Sequence, residues 1–164
     1  MFDRDQFLAS VDREARICSH LHGKLDPAGA NEAPGEGMRT PLELLRYLTR
    51  CGAAPLRAIV NGSWATIQAD ARKNDDMTFG EFPHRMQEQV DEIRKILSDL
   101  SAEDLAGKDV ALPWGETMKM GAALVNTSLK FLTAYRMQLF LYAKQRGRPE
   151  LMTMNCWLGQ DPPV

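Results

Sequence analysis

A chain of 164 residues that is 44% hydrophobic and 26% charged has the size and composition of an ordinary globular protein, so disorder is not the default expectation. The 20 basic and 22 acidic residues give a formal net charge of −2 and are interspersed, which argues against nucleic acid as a partner. No apolar run is long enough for a membrane span, and the acidic start MFDRDQF favours the cytoplasm over secretion.

The spacing of apolar residues predicts helices in the first third of the chain. The first helix is expected from about Asp5 to Leu25, followed by a flexible Gly-, Pro- and Ala-rich loop over residues 26–39. A T-x-x-E capping box with Thr40 as N-cap predicts the start of the second helix. Gly52 and Pro55 should break or kink that helix, because proline lacks the amide hydrogen that a helix interior needs.

A short helix and the third main helix are predicted in the middle of the chain. The short helix is expected around Trp64 to Arg72, and the third main helix from near Pro83 to about Leu100. The narrow apolar stripe of the third helix predicts that it lies on the outside of a bundle. The segment from Val110 to Met120 contains Pro113-Trp114-Gly115 and is expected to be irregular or a small hairpin.

The fourth main helix is predicted within the stretch from Thr117 to Gly147. From Leu129 to Ala143 it is apolar on almost every face, so it should be covered on more than one side. Residues 150–164 are expected to fold back over the bundle as a tail. With no repeat and no convincing strand alternation, the pattern predicts one all-α domain over residues 1–164, built as a four-helix bundle.

Short motifs in this order resemble those of the DinB-like family. Glu43-Leu44-Leu45-Arg46-Tyr47 is similar to the family's E-L-L-x-H, and Pro113-Trp114-Gly115 to its P-x-G. Residues 131–138, FLTAYRMQ, are similar to H-x-x-x-H-R-G-Q, and Gly147-Arg148-Pro149 matches the G-x-P that follows. The resemblance covers roughly residues 5 to 150. It implies an up-down-down-up four-helix bundle, often dimeric, and many family members bind a divalent metal through three histidines.

The three histidine positions of the family fall on Tyr47, Phe131 and Tyr135. Phenylalanine cannot ligate a metal and a lone tyrosine seldom holds one, so no bound metal and no cofactor are expected. Arg136 and Gln138 keep the R and Q of the motif. Two interpretations stay open: these five residues line a small-ligand pocket, or the aromatic side chains fill the site with core.

A relocated metal site is the alternative. Cys18 and His22 are one helical turn apart, and Cys51 or His84 would have to supply a third ligand. The simpler interpretation is a packed cysteine and a histidine with a local hydrogen-bond partner. Together with Cys156, the cysteines are odd in number and widely spaced, which predicts free thiols.

Four glutamates and Arg136 are the charged helix residues considered for a functional role. Glu14, Glu43, Glu88 and Glu92 fall on polar faces or at a cap, which predicts solvated carboxylates. Arg136 has apolar neighbours, which leaves two interpretations: it clamps an anion or a partner carboxylate, or it reaches the surface along its stem or pairs across a dimer.

No phosphate loop, nucleophile elbow or dinucleotide fingerprint is present. The leading hypothesis is therefore a non-enzymatic small-ligand-binding or stress-associated protein that forms a homodimer. A divergent metal-dependent hydrolase or thiol transferase with a relocated site is the second hypothesis. A structural dimeric module that uses the fourth helix is the third.

Overall fold

A computed structural model describes residues 3–67 and 72–163. These residues form a series of helices and one short hairpin. The helices are α1 (Arg4–His22), α2 (Pro41–Leu48), α3 (Ala53–Asn61), α4 (Phe82–Ser98), α5 (Ala102–Gly107), α6 (Met120–Leu124), α7 (Lys130–Gln145) and α8 (Thr153–Leu158). The hairpin pairs β1 (Asp109–Ala111) with β2 (Thr117–Lys119), antiparallel. Short 3₁₀ turns lie at Pro27–Gly29 and Phe79–Glu81, and a π-helical turn, Val125–Leu129, joins α6 to α7.

Four long units pack side by side, namely α1, α2 with α3, α4, and α6 with α7. Helix α1 packs against α4 and α7, while α2 packs mainly on α7 and α3 on α4. The predicted all-α bundle is confirmed. Within the described residues, no helix combines the length and the apolar character needed to cross a bilayer.

The first two main helices begin at caps that the sequence supplies. The Asp3 side chain accepts a hydrogen bond from the Gln6 amide at 2.9 Å, which opens α1. At the start of α2, the Glu43 amide donates to Thr40 Oγ1 at 3.2 Å and the Thr40 amide donates to the Glu43 carboxylate at 2.7 Å. The predicted capping box is thereby confirmed.

The predicted break after α2 is confirmed, and Gln89 of α4 stabilises it. Its side-chain oxygen accepts hydrogen bonds from the amides of Gly52 and Ala53 at 2.8 and 3.2 Å, and its side-chain nitrogen donates to the Leu48 carbonyl at 2.9 Å. These are backbone groups that the end of one helix and the start of the next leave without intrahelical partners. A Cβ added at Gly52 would lie 3.0 Å from Leu132, so this turn packs closely against α7.

Several predicted boundaries are wrong. Helix α1 ends at His22, not at Leu25, because the next amides bond three residues back and tighten the chain into a turn. Residues Thr117–Lys119 do not start the long helix, because they pair with β1, so that the helix begins at Met120. The alternative of a small hairpin over Val110 to Met120 is confirmed.

The loop predicted to be flexible over residues 26–39 is tied to the bundle at several points. It contains a 3₁₀ turn, and buried Ala30 accepts a hydrogen bond from the Leu42 amide at 2.9 Å. Arg146 donates to the Gly29 carbonyl at 2.9 Å. The helix predicted around Trp64 to Arg72 falls partly on residues 68–71, which lie outside the described residues.

Helix α7 contacts α1, α2 and α8, which accounts for its apolar residues on most faces. The C-terminal segment folds back as predicted, with α8 packed on α1 and α7. Val125, in the preceding π turn, and Leu141 remain 43% and 47% exposed.

Candidate functional site

The three aromatic residues predicted as a site lie where α2 meets α7. The rings of Tyr47 on α2 and Tyr135 on α7 have their centroids 4.5 Å apart at 62°, an edge-to-face pair. Phe131, one turn before Tyr135, lines a pocket together with Tyr47. The structure therefore brings together the residues that the motif positions indicated.

This aromatic pocket has a volume of about 100 Å³ and is lined by Tyr47, Arg50, Cys51, Ala54, Pro55, Ile67 and Phe131. This volume is well below the range of about 300–1,000 Å³ found for most small-molecule sites. The aromatic side chains thus leave space for a small group only, in a mostly apolar setting.

The titratable side chains of the pocket are held in their protonated forms. Burial raises the pKa of the Tyr47 phenol, and the proximity of Cys51 and Tyr135 raises it further. Burial also raises the pKa of the Cys51 thiol to about 12, and that thiol donates to the Leu48 carbonyl with an S–O distance of 3.7 Å. At neutral pH the pocket therefore offers a phenol and a thiol, and neither a thiolate nor a base.

The side chains of Tyr47 and Phe131 are poorly suited to bind a divalent metal. Phe131 has no donor atom, and the raised pKa of Tyr47 keeps its phenol protonated. Within residues 3–67 and 72–163, no three His, Cys, Asp or Glu side chains lie close enough together to share a metal ion. We derive no chemistry through a metal at this position.

A second, polar cleft opens beside the aromatic pocket. We call it the arginine cleft; it measures about 480 Å³ and is lined by Gly37, Met38, Arg39, Glu43, Arg46, Arg50 and Asp75. Arg50 lines both cavities. The Arg39 guanidinium lies over the rings of Tyr47 and Tyr135, with its central carbon 4.6 and 5.6 Å from their centroids.

The sequence interpretation did not identify the arginine cleft. Arg46 and Arg50 stand one turn apart, which is a usable signal for a shared face. Arg39 comes from the loop before α2, and no periodic pattern places a loop residue against a helix. Only the tertiary fold brings the three arginines to one cavity.

Arg136 does not belong to the aromatic pocket. It is fully buried, and its Nε donates to the Glu14 carboxylate of α1 at 2.5 Å. Its Nη1 donates to the Cys156 carbonyl of α8, and its guanidinium carbon lies 4.8 Å from the centroid of Trp157. Of the predicted roles of Arg136, the clamp on a partner carboxylate agrees with the Glu14 pair, whereas the surface position is wrong, and so is the predicted solvation of Glu14.

The physical reason is helix geometry. Consecutive residues point about 100° apart on a helix, so Tyr135 faces α2 while Arg136 faces α1 and α8. Adjacency within a sequence motif does not imply a shared site.

Gln138 supports the cleft indirectly. Its side-chain nitrogen donates to the Tyr142 hydroxyl at 2.7 Å, and that hydroxyl donates to the Arg39 carbonyl at 3.0 Å. Tyr142 is buried. This chain of two hydrogen bonds ties the backbone of Arg39 to α7.

The alternative metal ligands have separate partners. Cys18 is buried in the core, and burial followed by the charge of Glu14 raises its pKa. His22 Nε2 donates to the Phe79 carbonyl at 2.9 Å, and burial lowers the pKa of this imidazole. His84 is exposed on α4 and lies 3.4 Å from the Glu88 carboxylate. The proposed combination of ligands does not come together in the described part of the chain.

No protein-family model and no curated protein matches this sequence. Among solved structures, the fold is similar to the crystal structure of a DinB-like protein, YjoA, from Bacillus subtilis, with a TM-score of 0.68. The match covers 87% of this chain and 92% of that chain at 17% sequence identity. At that identity the likeness establishes the architecture, which the motifs had predicted. This protein has the all-α bundle fold of DinB-like proteins.

Proposed function

We propose that this protein binds a small ligand at the aromatic pocket between α2 and α7 and does so without a metal. The observation that carries the proposal is the open, mostly apolar pocket beside Tyr47 and Phe131. It lies where the motif resemblance places the family's site. The pocket is smaller than most small-molecule sites, but it shares their apolar lining with a few polar groups at the edge.

The protonation states favour binding over catalysis. Thiol transfer needs a thiolate, and hydrolysis needs a base or an activated water. The raised pKa values of Cys51 and Tyr47 disfavour both roles at neutral pH. Those groups remain useful as hydrogen-bond partners for a ligand.

A pocket this small limits the apolar part of the ligand to a short chain, for which a butyl group serves as the probe. Such a small group binds weakly, so the measurement must tolerate high ligand concentrations. We expect 1-butanol to perturb the backbone amides around Tyr47, Ala54 and Phe131 saturably in a ¹H–¹⁵N NMR titration of the whole chain.

Two alanine variants give a matched test. Ala54 is buried and lines the pocket, so Ala54→Leu should fill the pocket and abolish the 1-butanol shifts. Ala134 is exposed on α7, so Ala134→Leu should leave them unchanged. Thermal unfolding shows whether each variant is folded, and Ala54→Val is the milder substitution if leucine prevents folding. Shifts that persist in a folded, filled variant would contradict the proposal.

We also propose a homodimer, which the motif resemblance implies. The exposed apolar side chain of Leu141 on the fourth helix supports a contact on its face. A protein that acted solely as a structural dimer would keep this face and would not respond to 1-butanol.

A further inference from the structure

We infer that the arginine cleft binds an anionic group, so that the ligand of the aromatic pocket is a small organic anion. Its short apolar part would occupy the pocket, and its carboxylate or phosphate would lie among Arg39, Arg46 and Arg50. This inference rests on the proposed function and specifies the ligand's chemistry.

The charges around the cleft favour an anion. Three arginines and two acidic residues line it. Glu43 accepts the Thr40 amide in the capping box at 2.7 Å but keeps its charge, so the described lining carries three positive and two negative charges. Guanidinium groups bind planar carboxylate and phosphate oxygens in pairs, so a cleft with three of them is a suitable anion site.

Two of these arginines have no carboxylate partner within residues 3–67 and 72–163. Arg46 Nε donates to the Met77 carbonyl at 3.0 Å, which orients the guanidinium. Arg39 rests on the two tyrosine rings. Among the residues that the structure describes, neither forms an ion pair, whereas Arg94 and Arg136 do. An unpaired cation beside a cavity retains its donors for a ligand.

The two cavities are neighbours that share a lining residue. Arg50 lines both, and the Arg39 and Arg50 guanidiniums each lie over the Tyr47 ring, with their central carbons 4.6 and 5.3 Å from its centroid. A ligand with a short apolar chain and a charged end can therefore reach both. The hydrogen bond from Tyr142 to the Arg39 carbonyl holds this arginine's backbone before a ligand binds, which lowers the ordering cost of binding.

The test compares probes that each carry a short alkyl chain, propyl in butyrate and butyl in the others, and that differ in the charge of the head group. Butyrate, butyl phosphate, 1-butanol and n-butylamine are titrated into the whole chain by NMR, with inorganic phosphate as a head group alone. At least one of the two organic anions should bind about tenfold more tightly than 1-butanol, as charge-assisted hydrogen bonds predict. The tighter of the two identifies the head group as carboxylate or phosphate.

Arginine variants assign the effect to the cleft. Arg39→Gln and Arg46→Gln should each weaken binding of the tighter anion about fivefold or more and leave 1-butanol binding unchanged. Arg13→Gln removes the same charge from an exposed position on α1 outside both cavities and should have little effect.

Each remaining outcome is decisive. If 1-butanol binds and the anions bind no better, this inference is overturned while the proposed function stands. If no butyl probe binds, the proposed function fails as well. Equal losses in Arg13→Gln and Arg46→Gln would show a general charge effect and overturn the cleft assignment. Inorganic phosphate that binds as tightly as butyl phosphate would overturn the joint use of the two cavities.

Discussion

Substituting Arg136 with methionine is expected to destabilise the bundle strongly. The Arg136 side chain is 0% exposed and that of its partner Glu14 is 10% exposed, with 2.5 Å between Nε and the carboxylate. The substitution leaves the Glu14 carboxylate buried without a counter-charge, and it also removes a donor to the Cys156 carbonyl. Glu14→Leu creates the converse fault, a buried guanidinium without its carboxylate.

Breaking a buried pair from one side typically costs about 3–5 kcal/mol. For a chain of this length, a loss of 1 kcal/mol lowers the midpoint of thermal unfolding by about 2–4 °C, so each single variant should lose about 6–20 °C. The double variant Glu14→Leu/Arg136→Met replaces both charges with apolar groups. It should regain much of the lost stability, because buried pairs replaced as a whole are often close to neutral.

Urea unfolding followed by circular dichroism measures the four free energies of this cycle. We expect a coupling energy of about 2 kcal/mol or more between the two positions. The pair between Asp12 and Arg94 is the control, since its side chains are 47% and 48% exposed at a separation of 3.1 Å. Exposed pairs couple by about 0.2–1 kcal/mol.

Two results would refute this reasoning. One is a coupling between Glu14 and Arg136 no larger than that of the surface pair. The other is a loss of less than about 1 kcal/mol in Arg136→Met with an unchanged dependence on urea, since such a loss is normal for a side chain without a buried partner.

Three further predictions concern the core, the pH response and the oligomer. Gln89→Leu leaves three backbone groups at the α2–α3 break without partners, so it should lower the free energy of unfolding in urea by about 2–5 kcal/mol. Gln87 is exposed on the same helix, and Gln87→Leu should lower it by less than about 0.5 kcal/mol. Similar losses in the two variants would count against the role of Gln89. Burial lowers the pKa of His22 in the folded state, so the unfolded state binds more protons as the pH falls through about 6.5. The free energy of unfolding should therefore decrease between about pH 7 and pH 5. This decrease should be smaller in His22→Gln. An identical pH dependence in that variant contradicts the assignment. Leu141→Lys should shift the proposed dimer toward monomer in light scattering, and an unchanged mass would exclude that face.

Local signals in the sequence predict much of the fold because they act over a few residues. The capping box at Thr40 and the break before Pro55 depend on neighbouring groups, and both appear where the pattern indicates. The start of the last long helix was misplaced because Thr117 pairs with Ala111, a partner in another strand. Helical periodicity contains no information about such a pairing.

The candidate site was partly predictable for a related reason. Tyr47 and Tyr135 meet because α2 packs on α7, an arrangement that the motif resemblance implied. The Arg39 side of the site depends instead on a loop held by Tyr142, which is distant in the sequence. A single sequence gives the composition of that loop but not its path.

The two faces of α7 have different roles: one holds a buried ion pair that stabilises the fold, and the other lies beside the cleft proposed to bind a ligand. On one face, Arg136 forms an ion pair with Glu14 and is covered by Trp157 of α8, so its guanidinium is not accessible to a ligand. On the other, Tyr135 lies under the Arg39 guanidinium, which forms no ion pair within the described residues, beside an open cleft. An arginine that the fold has already paired reports on folding when it is removed. One that has no ion pair among the described residues and lies beside a cavity is available to report on a ligand, which makes Arg39 and not Arg136 the informative position for function.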